Sequence, residues 1–457
     1  MGSCSEHLEK KMGRREWLGR SAAGVLLGGL PTWIPASALG LAQRASPANR
    51  IVLGCIGMGI QGLHNMRTFR GNQDVQVVAV CDVHQTQRER AKQAIDEFYG
   101  NTDCAAYKDF RELLERKDID AVQITTPDHW HPIIAVEAAR RKKHIYCEKP
   151  IGWSFRAAQV VRKVVQETGV VFQFGTQQRS DRKFRFACEL VRSGKIGQLK
   201  TILVGVPPSW TCPKQPTEPV PKELDYDLWL GPAPWAPYCY QRCRPWTEKE
   251  GWSIWYSILD YCMGMIGNWG VHHLDIAQWG NGTELSGPVE VQGKGVFPKD
   301  MLTNAATSWQ VENRYANGVV LVHMDDHTAQ KHPQQVAGYG HGVLFIGTEG
   351  WIHVDRQKLD AQPKSLLQVK LGPNDVHLLE SRNHHGNFLD AIKAQAKPVA
   401  PIDVAVRSDA LCWLQQIAIL VERPLRYDPV AEAFVNDAEA NRLLDRPMRP
   451  PWKLEAC

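Results

Sequence analysis

The chain has 457 residues, of which 43% are hydrophobic and 23% charged, and its formal net charge is +5. This length exceeds one ordinary hydrophobic core and predicts two domains. The weak positive charge, with no long basic run, argues against a nucleic-acid partner. The twelve cysteines are scattered, without the spacing of zinc or haem motifs, so we predict no metal site. The closest pair, Cys239 and Cys243, could form a disulfide or part of a metal site. Two isolated cysteines on a proline-rich loop more often do neither.

Residues 1–38 are predicted to be an export signal. Basic residues within 10–15 precede a short apolar run at 22–30, and the sequence ASA at 36–38 offers a cleavage site. The apolar run is too short, and too interrupted by glycine, to span a membrane. The pair Arg14-Arg15 resembles the twin-arginine signal, whose export machinery carries folded, often cofactor-loaded proteins. We therefore expect a periplasmic protein that folds first in the cytoplasm; the alternative is a basic amphipathic terminus of a cytoplasmic protein.

Residues 48–175 are predicted to form an NAD-binding domain. The apolar run Ile51–Ile56 indicates a strand buried on both faces, and it leads through GMGIQG into an apolar pattern of helical period. A second strand follows at Val75–Cys81. Two further strand and helix pairs follow, with strands at 121–125 and 143–147 and helices at 130–141 and 154–167. Such alternation predicts an α/β fold with a doubly wound parallel Rossmann sheet, whose ligand crevice lies beyond the carboxyl ends of the strands.

The glycine-rich turn carries the predicted cofactor contacts. Gly57 permits the tight turn, Gly59 lets the backbone approach a diphosphate, and Gly62 allows close packing of helix on strand. The diphosphate would lie against the helix that starts at Ile60. Asp82, at the end of the second strand, would accept hydrogen bonds from ribose hydroxyls and disfavours a 2′-phosphate, so NAD is preferred over NADP. The alternative to cofactor binding is that residues 57–62 form only a turn and that Asp82 only caps a helix.

Two later strand ends carry unusual chemistry, TTPDHWH at 125–131 and CEKPIGWS at 147–154. With the glycine-rich turn, they resemble the Gfo/Idh/MocA family of nicotinamide-dependent sugar and cyclitol oxidoreductases. The resemblance implies cofactor contacts by Thr126, Pro127, His131, Glu148 and Lys149, and a Lys149–Pro150 peptide that is often cis in that family. It also implies that Lys149 projects beside the nicotinamide, where a cation stabilises the alkoxide of a secondary alcohol. The alternative for Lys149 alone is a solvated surface lysine.

The stretch GNWGVHHLDIAQWG at 267–280 matches the second motif of that family, in which an Asp precedes a His by four positions on a helix. Asn268, His272, Asp275 and Trp279 would share one helical stripe. The resemblance assigns the catalytic base to His272, whose ordinary pKa suits proton transfer, and places Asp275 at the substrate. Asn268 stands where many members carry Asp. Its amide can bind a sugar hydroxyl but cannot hold a charge.

Residues 176–435 are predicted to form a C-terminal α+β domain for substrate binding and oligomerisation, with 436–457 as a tail. Its open, mostly antiparallel sheet would use strands at 199–207, 289–297, 306–315, 319–325, 342–347 and 351–355. The resemblance implies a homo-oligomer and a helix, after residue 383, that returns across the first domain. His384 and His385 at its start are more often hydrogen-bonding groups than metal ligands. The aromatic residues of the long loop at 210–246 suit stacking on sugars, or they pin the loop to the core.

An exported NAD enzyme has no pool of free NAD outside the cytoplasm, so it must keep its cofactor tightly bound and regenerate it. Two chemistries do this. In one, a sugar is oxidised and a second carbonyl substrate collects the hydride. In the other, transient oxidation acidifies a C–H bond, the aglycone is eliminated, water adds and the hydride returns, which is net glycoside hydrolysis. The sequence leaves both open, together with a non-catalytic sugar-binding protein and a cytoplasmic dehydrogenase with exchanging NAD.

Overall fold

Two β-sheets organise the part of the chain that the computed structural model describes, namely residues 50–245, 251 and 253–454. The predicted export signal at 1–38 lies outside these residues. The described residues from Arg50 onward belong to one compact unit. Both sheets are therefore parts of the same unit.

The first sheet has six parallel strands, counted over the described residues. They are β1 (Ile51–Ile56), β2 (Val75–Cys81), β3 (Ala105–Tyr107), β4 (Ala121–Ile124), β5 (His144–Cys147) and β6 (Phe172–Phe174). Their order is β3-β2-β1-β4-β5-β6, and every neighbouring pair is parallel. The predicted Rossmann sheet is confirmed. Because the order reverses between β1 and β4, a crevice opens at their carboxyl ends.

Five helices accompany this sheet. They are α1 (Ile60–Arg70), α2 (Gln85–Tyr99), α3 (Phe110–Leu114), α4 (His131–Arg140) and α5 (Phe155–Thr168). The Ser154 hydroxyl accepts from the backbone N–H of Ala157 and so caps α5, and Gly169 ends that helix in the left-handed conformation. By contrast, α1 begins after Gly59 without a side-chain cap. Its first N–H groups are therefore available to a ligand.

The second sheet follows helix α6 (Arg182–Arg192) and is mostly antiparallel, as predicted. Its strands are β7 (Leu199–Val206), β8 (Glu290–Val296), β9 (Ser308–Arg314), β10 (Val320–Asp325), β11 (Gly342–Gly347), β12 (Trp351–Val354), β13 (Leu359–Gln362), β14 (Leu425–Asp428) and β15 (Ala433–Phe434). The order is β13-β12-β11-β7-β10-β9-β8-β14-β15, and β7 pairs with β10 in parallel. The sequence patterns predict β7 to β12 to within two residues at each end. They miss the short strands β13 to β15.

Helices cover this sheet and connect it to the first. They are α7 (Tyr226–Leu230), α8 (Tyr240–Cys243), α9 (Met265–Asn268), α10 (Gly270–Asn281), α11 (Asp326–Gln330), α12 (His384–Ala394), α13 (Ile402–Val421) and α14 (Ala438–Arg442). Although α13 is long and apolar enough to cross a membrane, 83% of its apolar window is buried inside the protein, where it packs against α10 and β8. Helix α12 returns to the first sheet, where Phe388 contacts Phe69 of α1 with ring centroids 6.1 Å apart.

A buried ion pair joins α10 to the loop that leaves the first sheet. Arg179 binds Asp275 with two hydrogen bonds, Nε to Oδ2 at 2.7 Å and Nη2 to Oδ1 at 2.9 Å. Ser408 of α13 donates a third hydrogen bond to Asp275, and Arg179 also pairs with Glu284. The guanidinium lies 4.8 Å from the ring centroid of Trp279. This contact fixes the orientation of α10.

We predict that Arg179→Met strongly destabilises the protein, because Asp275 then keeps a buried charge without its partner. The expected loss in the free energy of unfolding is about 3–5 kcal/mol, measured by urea denaturation. The double variant Arg179→Met/Asp275→Leu should recover much of it, since neither charge remains. Arg382→Met, at an exposed ion pair with Glu380, is the control and should leave the midpoint nearly unchanged. An Arg179→Met midpoint equal to wild type would contradict the assignment.

Candidate functional site

A cavity of about 620 Å³ opens at the carboxyl ends of the first sheet. Strand ends of the first sheet line one side, and residues of α9, α10 and the turn after β12 line the other. The predicted site residues that line it are Gly57, Gly59, Ile60, Gly62, Asp82, Thr126, Pro127, His131, Glu148, Lys149, Asn268 and His272. Asp275 does not line it. The structure thus brings together groups that are up to 215 residues apart in the chain, as Gly57 and His272 show.

The glycine-rich turn has the shape that a diphosphate requires. Gly57 has a φ of +83°, and a side chain there would collide with the backbone of Thr125 and Thr126. A side chain at Gly62 would collide with the carbonyl oxygen of Gly57. At Gly59, by contrast, an added Cβ meets no protein atom within 4 Å and would project into open space. The uncapped α1 N-terminus and this open position fit the diphosphate of NAD.

Asp82 closes the turn from the end of β2. Its Oδ2 accepts from the Met58 N–H at 2.6 Å, and its Oδ1 accepts from the His84 N–H at 2.8 Å. Burial raises the pKa of Asp82, although these two N–H groups act in the opposite direction. Each oxygen keeps a second lone pair, so the carboxylate can also accept from ribose hydroxyls.

His131 holds the two unusual strand ends together. Its Nδ1 lies 2.6 Å from the carbonyl oxygen of Pro150, and its Nε2 lies 2.9 Å from that of Thr126. Burial lowers the pKa of His131 to about 4. At neutral pH the imidazole therefore carries one N–H and donates to one of these two carbonyl oxygens. His131 and Pro127 line the cavity, and their predicted role toward the cofactor stays a prediction. The Lys149–Pro150 peptide is cis.

Glu148 and Lys149, adjacent in sequence, have opposite surroundings. The Glu148 Oε1 accepts from the side-chain amides of Asn65 at 2.9 Å, Gln177 at 3.1 Å and Gln61 at 3.4 Å. Lys149 has neither a hydrogen-bond acceptor nor an ion-pair partner among the residues that the structure describes, and it lines the cavity. Glu148 is therefore fixed in place, whereas the Lys149 ammonium is available to a ligand.

Asn268 and His272 approach the cavity from the opposite side. Asn268 ends α9 and His272 lies in the first turn of α10, with Trp269 between the helices. In the described part of the chain, Asn268 Nδ2 and His272 Nδ1 are buried without a hydrogen-bond partner. Burial, followed by the positive charges of Arg356 and Lys149, holds the pKa of His272 well below its usual value. The imidazole is therefore neutral and can accept a proton.

The predicted stripe of Asn268, His272, Asp275 and Trp279 does not reach the cavity as a whole. The helix is interrupted at Trp269, and Asp275 and Trp279 turn to Arg179. Asp275 is fully buried with both carboxylate oxygens engaged. Its placement at the substrate is corrected, because the ion pair holds it away from the cavity.

Sequence reasoning missed Asp128. It lies within the TTPDHWH stretch, lines the cavity and is 3% exposed, and its Oδ2 has no hydrogen-bond partner within the described residues. Burial raises the pKa of Asp128 to about 7, although the positive charge of Lys149 acts in the opposite direction. The one sequence signal for Asp128 was its position within the TTPDHWH stretch. A carboxyl group beside Lys149 that titrates near neutrality can exchange protons during a reaction.

The long loop and α12 contribute in ways that the sequence left open. Trp229 lines the cavity and also packs on Tyr261, with ring centroids 4.9 Å apart, so it both shapes the site and pins the loop. His384 Nε2 bonds the carbonyl oxygen of Phe174 at 2.7 Å, and His385 Nε2 bonds Asn65 at 3.2 Å. Over the described ranges, no three His, Cys, Asp or Glu side chains are grouped as metal ligands. Cys239 and Cys243 are free thiols.

Comparison with known proteins identifies both halves. Residues 51–176 match the model described as the NAD-binding Rossmann fold of an oxidoreductase family, GFO_IDH_MocA, and residues 209–454 match the C-terminal alpha/beta domain of that family. The 2,7-anhydro-N-acetylneuraminate hydratase of Mediterraneibacter gnavus is 23% identical over 75% of this chain and 78% of its own length. The alpha-N-acetylgalactosaminidase of Shewanella oneidensis is 27% identical over 41% of this chain, which spans 44% of that protein.

A solved structure shares the fold. The scyllo-inositol dehydrogenase of Lactobacillus casei, determined with bound NAD(H) and scyllo-inositol, has a TM-score of 0.56 at 16% identity. The match covers 82% of this chain and 99% of that one. The arrangement of a Rossmann sheet beside a mostly antiparallel sheet is therefore common to both.

We predict that Gly59→Ala and Gly62→Ala separate cofactor binding from folding. The methyl group of Gly59→Ala projects into open space, so the protein should fold normally but bind NAD at least tenfold more weakly. The methyl group of Gly62→Ala collides with the turn, so both stability and NAD binding should fall. NAD titration and thermal unfolding measure the two effects. Wild-type NAD affinity in Gly59→Ala would show that the diphosphate lies elsewhere.

Proposed function

Because this chain belongs to the Gfo/Idh/MocA oxidoreductase family, we propose that it is an exported enzyme that oxidises a hydroxyl group of a sugar or sugar derivative with a tightly held NAD. One observation carries the proposal. Lys149, Asn268 and His272 line the same cavity as the glycine-rich turn, and within the described residues Asn268 Nδ2, His272 Nδ1 and the Lys149 ammonium have no hydrogen-bond partner. Unpartnered polar groups in a cavity are costly unless a ligand satisfies them.

Each of these groups has a distinct task toward a secondary alcohol. Lys149 donates a hydrogen bond to the hydroxyl oxygen and stabilises the negative charge that develops there. His272, which is neutral, accepts the hydroxyl proton. Asn268 donates through Nδ2 to a neighbouring hydroxyl and so orients the ring. NAD, when bound, accepts the hydride and can return it.

A second candidate function is glycoside cleavage through transient oxidation. Elimination and hydration require a second proton transfer, at carbon, besides the one at the hydroxyl group. Asp128 offers a second acid–base group with an unpartnered oxygen and a pKa raised to about 7 by burial. The relatives named as a hydratase and a glycosidase support this alternative. It uses the same Lys149 and His272, so the products decide between the two.

Export and cofactor retention form one part of the proposal. The support is the order of basic residues, apolar run and cleavage site at 1–38, with paired arginines at 14 and 15. The twin-arginine export machinery would carry the protein after it has folded around NAD. We also propose a homo-oligomer, as the family resemblance implies; the mass of the purified protein in solution tests it.

The first experiment uses protein purified from the exported fraction without added NAD. We expect an N-terminus after residue 38, bound NAD, and turnover with members of a panel of sugars and nitrophenyl glycosides. Absorbance near 340 nm that persists until a second carbonyl compound is added identifies the redox cycle. Nitrophenol released over many turnovers without lasting absorbance identifies glycoside cleavage. An intact Met1, or NAD that is lost during purification, would contradict export or retention.

Lys149→Met should lower turnover by about 100-fold to 1,000-fold, the usual effect of removing one group that stabilises an oxyanion. NAD content and thermal stability should change little. Lys370→Met, at an exposed lysine outside the cavity, is the matched control. Wild-type turnover in Lys149→Met would overturn the catalytic assignment.

If the reaction is glycoside cleavage with Asp128 as the second acid–base group, its rate depends on pH near neutrality. Because burial raises the pKa of Asp128 to about 7, its carboxylate is protonated as the pH falls through that value, and the rate should fall with it. Without a bound anion the pKa of His272 lies well below its usual value, so the fall in rate is measured on kcat/KM, which reports the free enzyme. Asp128→Asn should lower the rate and remove the fall in rate between neutral and acidic pH. A pH profile of unchanged shape in Asp128→Asn would rule out this role.

A further inference from the structure

Arg356 is a cation on the substrate side of the cavity that neither reaction scheme uses. It follows β12, in a turn that Asp355 fixes by accepting backbone hydrogen bonds from Gln357 and Lys358, both at 2.7 Å. Its side chain lines the cavity. Arg356 lies close enough to His272 for its charge to lower the pKa of that histidine. It therefore faces the region where the reacting part of a substrate must lie.

Two neighbours hold the guanidinium in one orientation. It lies over the ring of Trp269, 4.2 Å from the centroid. In the orientation that satisfies both ends of the Gln178 amide, Oε1 accepts from Arg356 Nε at 3.2 Å, and the amide nitrogen donates to the carbonyl oxygen of His272 at 2.9 Å. Stacking and the Nε contact fix the plane of the group. Nη1 and Nη2 remain, and they point to no acceptor among residues 50–245, 251 and 253–454.

Arg356 makes no direct contact with a carboxylate in the part of the chain that the structure describes. No carboxylate within those residues forms an ion pair with it, and the carboxylate that opposes the lowering of its pKa by burial is Glu148. Three neutral amides hold the Glu148 Oε1 in place, so Glu148 keeps its charge and acts on Arg356 at a distance, without a direct contact. Lys149 adds a second positive charge to the same cavity. An oriented guanidinium with a free pair of N–H groups matches the two oxygens of a carboxylate.

We propose that Arg356 binds an anionic group of the substrate through Nη1 and Nη2, so that the preferred substrate is an acidic sugar, in the simplest form a sugar carboxylate. This inference rests on the proposed function and specifies its substrate class. The anion is not the cofactor diphosphate. That group fits the turn at Gly59, whereas the neighbours of Arg356 are Trp269, Gln178 and His272.

Ligand binding tests the proposal independently of turnover. NAD-loaded protein is titrated with matched pairs, methyl glucuronide against methyl glucoside and methyl galacturonide against methyl galactoside, and binding is followed by tryptophan fluorescence, since Trp269 lies beneath Arg356. Glucose 6-phosphate and glucose 6-sulfate test the tetrahedral oxyanions. We expect at least one carboxylate to bind about tenfold to 100-fold more tightly than its neutral partner. A preference for phosphate or sulfate over every carboxylate would overturn the carboxylate assignment, and equal binding of acidic and neutral members would overturn the whole inference.

Variants of Arg356 and of a neighbouring lysine test which residue causes the preference for acidic sugars. Arg356→Gln should abolish the preference for the acid while leaving the affinity for neutral sugars within about twofold. Arg356→Lys keeps the charge but loses the paired N–H groups, so it should retain only part of the preference. Lys358→Met removes a positive charge from the same turn, outside the cavity lining, and should retain all of it. An acid preference unchanged in Arg356→Gln would overturn the assignment.

The outcomes separate this inference from the proposed function. If acidic sugars bind through Arg356 but none reduces NAD or is cleaved, the proposed reaction fails and the anion site stands. If neutral sugars are turned over and acidic sugars neither bind better nor react faster, the reaction stands and the anion site fails.

Discussion

The buried contact between Arg179 and Asp275 is the constraint on which the site depends. The proposed reaction at one hydroxyl group needs Lys149 and His272 within reach of the same oxygen. Lys149 follows β5 of the first sheet, whereas His272 lies on α10, which packs against β7 and β11 of the second sheet. Asp275 lies one helical turn after His272, so its two hydrogen bonds to Arg179 fix the rotation of α10. Removing both charges from water is costly, and Ser408 and Glu284 offset that cost by satisfying the remaining hydrogen bonds.

The polar groups of the cavity divide into those that build it and those that it leaves available. Glu148 and Asp82 accept hydrogen bonds from protein N–H groups, and His131 contacts backbone carbonyl oxygens at both strand ends, so these residues hold the turn and the strand ends in place. Asp128, Asn268 and His272 each keep a buried polar atom without a partner in the described chain. A buried polar atom that neither protein nor water satisfies costs about 1–3 kcal/mol. A ligand that supplied these hydrogen bonds would remove that cost.

Sequence patterns predicted four strands of the first sheet (β1, β2, β4 and β5) and the glycine-rich turn because these features are local, and they missed the three-residue strands β3 and β6. An apolar run, a fixed glycine spacing and a strand end can each be recognised within about 30 residues. Asp275 was misplaced because helical periodicity shows which residues share a face but not what that face meets, and its partner Arg179 lies 96 residues away. No local sequence pattern marks Arg356 as a site residue. Its orientation comes from Trp269 and Gln178, which only the folded chain brings to it.

The position of Arg356 links substrate binding to the chemistry at His272. The positive charges of Arg356 and Lys149 add to burial in lowering the pKa of His272. A base with a very low pKa is a weak proton acceptor. An anion bound at Arg356 would cancel part of that positive field and raise the pKa of His272 toward its ordinary value. An acidic substrate would therefore strengthen the base that it needs, whereas a neutral sugar in the same cavity would leave that base weak.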